Sequence, residues 1–404
     1  MHPMVKPALR RGWRDLNTVQ FGMTPAHART LRPVDSATGS FLELLNGTRG
    51  PTLLRKEGRR HDLPDGHVDR FVARLARAGL LDDSRGGGPA GAVLRTKKEV
   101  LDRLRPDLAS LSVTTSAPGE AIGRLAARRA LRVRVMGAGR VGAVLASVLS
   151  GAGVGEVAVL DGGCVEPWDV APGGQPAEAV GDRRDRSARR AVSRAAPDRP
   201  PRRTAGTPPV DEGAGLHLVI LAPRDDVAAH APDPALTASL TASGTPHLHA
   251  GVAEGTGIVG PLVLPGETGC AGCLHATRTD EDPAWPRLVA QWRSGARGEV
   301  PPCDLTLSTA VAGLAAAHAL AFLDGRTPSS AGARWEVSLP GLAWRSRPVE
   351  AHPACPCGAA AKGGQEHTPG EGSRRATMAE QWPSAEVRRE AGAARPARTW
   401  RAHV

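Results

Sequence analysis

Tyrosine is absent from this sequence, phenylalanine occurs four times, and only five of the 52 basic residues are lysine (Lys6, Lys56, Lys97, Lys98 and Lys362). Alanine, arginine, glycine and proline fill the gap. That skew reads as coding bias, so bulk composition carries little functional weight. No apolar run approaches the ~20 residues needed to cross a bilayer, which argues against a membrane span. Met1 to Asp15 carries charge but no apolar h-region, so no secretory signal is visible. Cysteine is scarce too: six residues, as two tight pairs and two singles. Without an export signal, that pattern argues for thiols and metal rather than disulfides, and for a cytoplasmic protein.

The formal charge is +11, and basic surface attracts phosphate polymers. The excess is unevenly spread. Between Asp182 and Arg203 nine arginines stand against three aspartates, with no aromatic side chain on which a base could stack. A solvated basic helix face, or one that meets an acidic protein or peptide, explains this segment better than a nucleic-acid groove.

At 404 residues the chain has room for two or three domains. Residues 1–83 read as a small domain. Asn17 to Phe21 alternates like a strand, Phe41, Leu42, Leu44 and Leu45 mark one helix, and Val68, Phe71, Val72 and Leu75 mark the apolar face of another. The order fits a winged-helix-like module or a generic helical cap. Residues 84–130 read as a helical linker after the break at Gly86-Gly87-Gly88-Pro89. From Leu131 strands and helices alternate, as expected of an α/β domain with a parallel sheet and right-handed crossovers, spanning 131–357. Its expected parts include a strand at Leu131–Met136, a helix at Val141–Leu149, a strand at Glu156–Leu160 and an alanine-rich helix at Leu305–Phe322. Arg334 to Arg345 reads as a closing hairpin. Residues 358–404 have almost no apolar periodicity and read as a disordered tail.

Two constellations carry chemistry. Gly137-Ala138-Gly139-Arg140-Val141-Gly142 is a GxGxxG directly after a buried strand and directly before a helix. Gly137, Gly139 and Gly142 permit a tight turn and close backbone approach, and the free amides and dipole of the helix favour a phosphate. Asp161, at the end of the second strand, stands where a carboxylate can hold ribose hydroxyls. The second constellation is Cys270-Ala-Gly-Cys273 with Cys355-Pro-Cys357. Four thiolates fill the tetrahedron of one Zn²⁺ and leave no position for a reactive water, so the site should be structural.

With these residues in view, 131–357 resembles the ThiF and ubiquitin-activating-enzyme-like adenylyltransferases, which share a glycine loop, an acidic residue ending the second strand and a zinc site of two cysteine pairs. Leu160-Asp161-Gly162-Gly163-Cys164-Val165-Glu166-Pro167-Trp168-Asp169 is similar to the family's acidic strand end followed by Val-Glu and then an Asn. The resemblance implies a Rossmann-like domain that binds ATP with Mg²⁺ and activates the C-terminal carboxylate of a small ubiquitin-like or sulfur-carrier protein, or of a peptide, by adenylation. It also implies a homodimer, since members often dimerise. Arg184 takes the place of the family's catalytic Lys, and Arg224 that of its metal-holding Asp, with Asp225 one residue away. Cys303 lies where many members carry a reactive cysteine, but the adjacent Asp304 opposes thiolate formation. The family's phosphate-contacting Arg after the second strand is missing. The first 83 residues resemble the leader-binding modules fused to ThiF-like domains in ribosomal-peptide biosynthesis, where a peptide adds as a strand at an edge. These departures keep two rivals open: a catalytically silent scaffold that presents a precursor peptide to a partner enzyme, and an NAD-dependent oxidoreductase, because the glycine loop and Asp161 would serve NAD equally.

Overall fold

The computed structural model describes residues 1–198, 215–295 and 300–363. The end of the basic segment beyond Asp198, and the tail from 364, lie outside the described residues.

The chain opens with β1 (Pro3–Val5) and a three-stranded antiparallel sheet of β2 (Arg11–Asp15), β3 (Thr18–Phe21) and β4 (Arg29–Leu31). Helices α1 (Ser36–Leu42), α2 (Pro51–Arg60) and α3 (His67–Arg77) follow, and β5 (Leu81–Asp83) returns to pair with β1. Asp35 caps α1, accepting from Thr38 N at 2.7 Å. Val68, Phe71 and Leu75 put the apolar face of α3 onto Phe21, Phe41 and Leu54. At the sheet's edge β2 is exposed along its whole length.

Four helices bridge to the central domain: α4 (Gly88–Thr96), α5 (Lys98–Arg103), α6 (Arg105–Thr114) and α7 (Glu120–Arg128). They bury a small core of their own around Leu94, Leu104 and Leu125. Lys6, fully buried, donates to Thr115 O at 2.6 Å and ties the first domain to α6.

The central domain continues with β6 (Arg132–Met136), α8 (Arg140–Gly151), β7 (Glu156–Leu160), α9 (Arg184–Ala195) and β8 (Leu218–Leu221), then α10 (Asp226–His230), α11 (Pro234–Ala242), β9 (His247–Ala253) and β10 (Thr256–Val263). It ends with α12 (Ala271–Glu281), α13 (Trp285–Ser294), α14 (Leu305–Leu323), β11 (Ala333–Ser338), β12 (Arg345–Pro348) and a short α15 (Ala359–Gly363). The seven strands run in the order β12-β11-β10-β9-β8-β6-β7. The expected parallel arrangement holds for β7, β6, β8 and β9, whereas the other three pairings are antiparallel. The reason is local. Glu254 and Gly255, both with positive φ, close a two-residue turn between β9 and β10, and such a turn can only reverse the chain.

α8 and α14 pack against each other beside this sheet. Ala312, Ala315, Ala316 and Ala319 are almost fully buried, and their small side chains let the two helices approach closely. α14 is the one described helix with the length and apolarity of a membrane span, and here it forms part of the protein core.

Candidate functional site

The glycine loop joins β6 to α8, and each glycine has a steric reason. Gly137 has φ +105°, and a Cβ built there would lie 2.0 Å from Ala222 O, at the end of the adjacent β8. A Cβ on Gly142 would lie 2.1 Å from Gly137 O, inside the loop itself. Gly139 instead faces a side chain: its Cβ would meet Arg224 Cγ at 2.6 Å. The loop therefore presses against the end of β8 with Arg224 across it, and the first amides of α8 have no acceptor within their own helix, the arrangement that favours an anion.

Asp161 ends β7 beside this loop. Its Oδ2 accepts from Ala138 N at 2.8 Å, and its Oδ1 from Gly163 N at 3.0 Å and Arg184 Nε at 2.9 Å. Arg184, buried in the first turn of α9, also donates to Cys164 O and reaches Asp169 Oδ2 at 3.4 Å. Asp169 is buried; its Oδ1 accepts from Arg224 Nε at 2.7 Å, and Arg224 also pairs with Glu166. Three carboxylates and two arginines thus form one chain, Asp161–Arg184–Asp169–Arg224–Glu166. Burial opposes the charge on Arg224, yet Glu166 and Asp169 outweigh it and hold its guanidinium above the ordinary value. Gln175, fully buried, donates from one amide to Ala138 O at 3.0 Å and Arg184 O at 3.1 Å, joining the glycine loop to α9.

A cavity of about 370 Å³ opens between Gly139, Arg140, Trp168, Arg224 and the segment Val300–Asp304. Cys303 lies on its wall, and its carbonyl accepts from Arg140 Nη1 at 2.9 Å. Burial pushes the Cys303 thiol up, with Arg140 acting in the opposite sense, so it is a thiol at neutral pH. Arg140 Nε and Trp168 Nε1 are buried and have no hydrogen-bond partner among the described residues. Asp225 is not on this wall. It sits at the N-cap of α10, where Oδ1 accepts from Ala228 N at 2.9 Å.

The residues thus lie in three places. Gly137, Gly139, Gly142, Asp161 and Arg184 are gathered at the head of α8, Cys303 stands across the cavity, and Asp225 is turned to a helix end. Arg140, Trp168 and Glu166 were not singled out as ligand contacts from sequence. Arg140 is one of the variable positions of the glycine motif, where no residue type is required, and Trp168 and Glu166 flank a proline in a segment without periodicity.

A Mg²⁺ needs near-octahedral oxygen ligands at about 2.0–2.1 Å. Here Asp161, Asp169 and Glu166 are each engaged by an arginine, Asp225 caps α10, and Asp304 Oδ1 caps α14 by accepting from Thr306 N and Leu307 N at 2.9 and 3.0 Å. The residues present do not fit the ion that the resemblance implies.

The zinc expectation fits. Cys270, Cys273, Cys355 and Cys357 bring their Sγ atoms within 4.8 Å of one another, with separations of 3.8, 3.6 and 3.5 Å among them. Four sulfurs about 2.3 Å from a tetrahedral Zn²⁺ would stand about 3.8 Å apart. Burial pushes the Cys270 thiol up to about 11, so metal binding there releases a proton. The site joins the start of α12 to the segment after β12.

A fold of this topology, with this glycine loop and cysteine cluster, defines a nucleotide-binding α/β class. The chain belongs to the ThiF family, whose model matches residues 121–357. Its structure is similar to that of E. coli MccB, at 12% identity over 88% of this chain and 96% of that one, with a TM-score of 0.62. E. coli MccB with ATP gives 13%, 88%, 99% and 0.63. PaaA is similar as well, at 15% identity over 85% of this chain and 99% of that one, with a TM-score of 0.59. At such identities the likeness is one of fold. No curated protein matches the chain in sequence.

Proposed function

We propose that this protein is an ATP-dependent adenylyltransferase acting on the C-terminal carboxylate of a peptide or small carrier protein. One observation carries the reading: a glycine loop packed tightly at the head of α8 opens onto a cavity walled by Arg140 and Arg224, beside a strand-end aspartate. E. coli MccB, similar in fold, has been solved with ATP and with N-formylated MccA, which supports a nucleotide and a partner chain together.

In this reading Gly137, Gly139 and Gly142 let the loop amides close on the phosphates, and Asp161 holds the ribose by exchanging one of its present hydrogen bonds for a hydroxyl. A carboxylate oxygen of the partner attacks the α-phosphorus; the new P–O bond forms as the bond to the β-phosphate oxygen breaks, and pyrophosphate leaves. The protein's part is positioning and charge stabilisation. Arg184 and Arg224 supply positive charge that offsets the negative charge building on the leaving pyrophosphate. Cys303, held as a thiol, takes no part in this step. The test is pyrophosphate exchange into ATP with candidate peptides and carrier proteins. Exchange with at least one is expected; none with any, despite measurable ATP binding, would remove the enzyme reading.

A second reading has its own support. β2 is an exposed edge strand with Trp13 half exposed, the geometry that accepts a further strand, and the family's Lys and metal-holding Asp are here Arg184 and Arg224. A catalytically silent protein that presents a peptide would keep peptide binding and show no exchange. A Trp13→Ala protein that binds every candidate peptide as the parent does would discard the β2 surface.

A further inference from the structure

The cavity and its ion pairs point further than the class of reaction. This step rests on the nucleotide reading above and concerns what neutralises the phosphates. Of the carboxylates at the cavity, Asp304 caps α14, while Asp169 on the wall and Glu166 next to it are both already held by Arg224. A metal there would have to displace the guanidinium and leave it uncompensated beside a second positive centre. Arg224 and a divalent ion therefore exclude each other at this place.

Arg224 is also well placed to act alone. Its Cγ packs so close to Gly139 that no larger residue fits, and Nε is 3.6 Å from the point where a Cβ would sit. Its guanidinium therefore lies across the loop that leads into the first amides of α8. Glu166, 42% exposed at the side chain, is the weaker of its two partners, since solvent can replace the arginine there. Asp169, 3% exposed, holds the Nε end fixed. One end of the planar fork is thus anchored and the other can be given up to an incoming phosphate oxygen.

We infer that the pocket takes a nucleoside triphosphate without a divalent cation, Arg224 serving as the resident counter-charge to the phosphates. The site differs in this from one that binds a metal–nucleotide complex, and the difference is a property of binding, separable from turnover.

The experiment is calorimetric titration of the full-length protein with ATP, in EDTA and in excess Mg²⁺. Zinc content is checked afterwards, because EDTA can strip the cysteine site; the arm is repeated with washed, metal-free buffer if zinc is lost. Affinities within about threefold of each other are expected. Arg224→Gln should weaken binding in EDTA by about tenfold to hundredfold, the span of a charge-assisted hydrogen bond. Arg224→Lys keeps the charge and should lose less, which decides the matter if the glutamine protein does not fold. Binding that improves more than about thirtyfold with Mg²⁺ overturns the inference and leaves the adenylation reading standing. Unchanged metal-free affinity in a folded Arg224→Gln protein also overturns it. Absence of ATP binding in either buffer removes the nucleotide reading, and this inference with it.

Discussion

Replacing Gly137 by alanine should disable nucleotide binding in a way that replacing its near neighbour Gly162 does not. The new methyl group at 137 would start 2.0 Å from Ala222 O, so that carbonyl must retreat by about 1 Å or more before contact becomes ordinary. Gly137 also has φ +105°, which costs an L-residue about 1–2 kcal/mol. Overpacking adds about 1–3 kcal/mol, for a total of about 2–5 kcal/mol. The strain falls where it matters. Ala222 N donates to Met136 O at 2.8 Å, and Ala222 leads directly to Pro223 and Arg224, so moving it shifts the loop and the cavity wall together. At Gly162, beside Asp161, a Cβ meets nothing within 4 Å and φ is not left-handed; the change should stay within about 0.5 kcal/mol. Urea unfolding gives the stability term, and ATP titration of the folded fraction gives the functional one. The reasoning is refuted if Gly162→Ala does equal damage, or if Gly137→Ala binds ATP within about threefold of the parent.

Two further outcomes are expected. Purified protein should carry one zinc per chain by elemental analysis. Cys357→Ser or strong chelation should lower stability by up to about 4.5 kcal/mol, the loop-closure scale for a cross-link between segments about 85 residues apart; a metal-free protein of unchanged stability would remove the site. Stability should also fall on acidification through the buried histidines. Burial holds His249 down at about 3, with His247 and Arg334 adding to the effect. Unfolded histidine titrates near 6.5, so the unfolded state binds the extra proton between those values and stability is lost as pH drops below 6.5. For His249 alone the loss is about 2 kcal/mol between pH 7 and pH 5. His249→Leu should flatten that part of the pH–stability curve measured in urea, and an unchanged slope would count against it.

Much of the central domain was legible because its signals are local. A glycine motif between a buried strand and a helix, an aspartate at the next strand end and two cysteine pairs are each local signals; the structure sets the aspartate beside the glycine loop and, at a separate place, joins the two cysteine pairs. α14 was legible from its length. Other elements left weak traces. α2 buries little beyond Leu54 and Gly58 and is crowded with arginines, so its apolar face is narrow. α6 has Pro106 as its second residue and hardly any amphipathic pattern. β9, buried at every residue, carries His247 and His249 where a core strand ordinarily has Val or Ile. The arginine–carboxylate chain could not be read at all. Arg184 and Arg224 were visible as departures from a pattern, but their shared hold on Asp169 joins residues 15 and 55 positions apart, and no spacing rule reports that.

Gln175 sets how the segment between β7 and α9 can behave. That stretch holds two short 3₁₀ turns, Pro167–Asp169 and Ala177–Ala179, and isolated bridges such as Val170–Gln175, and one side-chain amide ties it to two further backbone carbonyls at once. The glycine loop at Ala138 and the first residue of α9 are therefore coupled mechanically: neither can shift without straining the same NH₂ group. A displacement of the start of α9 would therefore be felt at Ala138, inside the glycine loop.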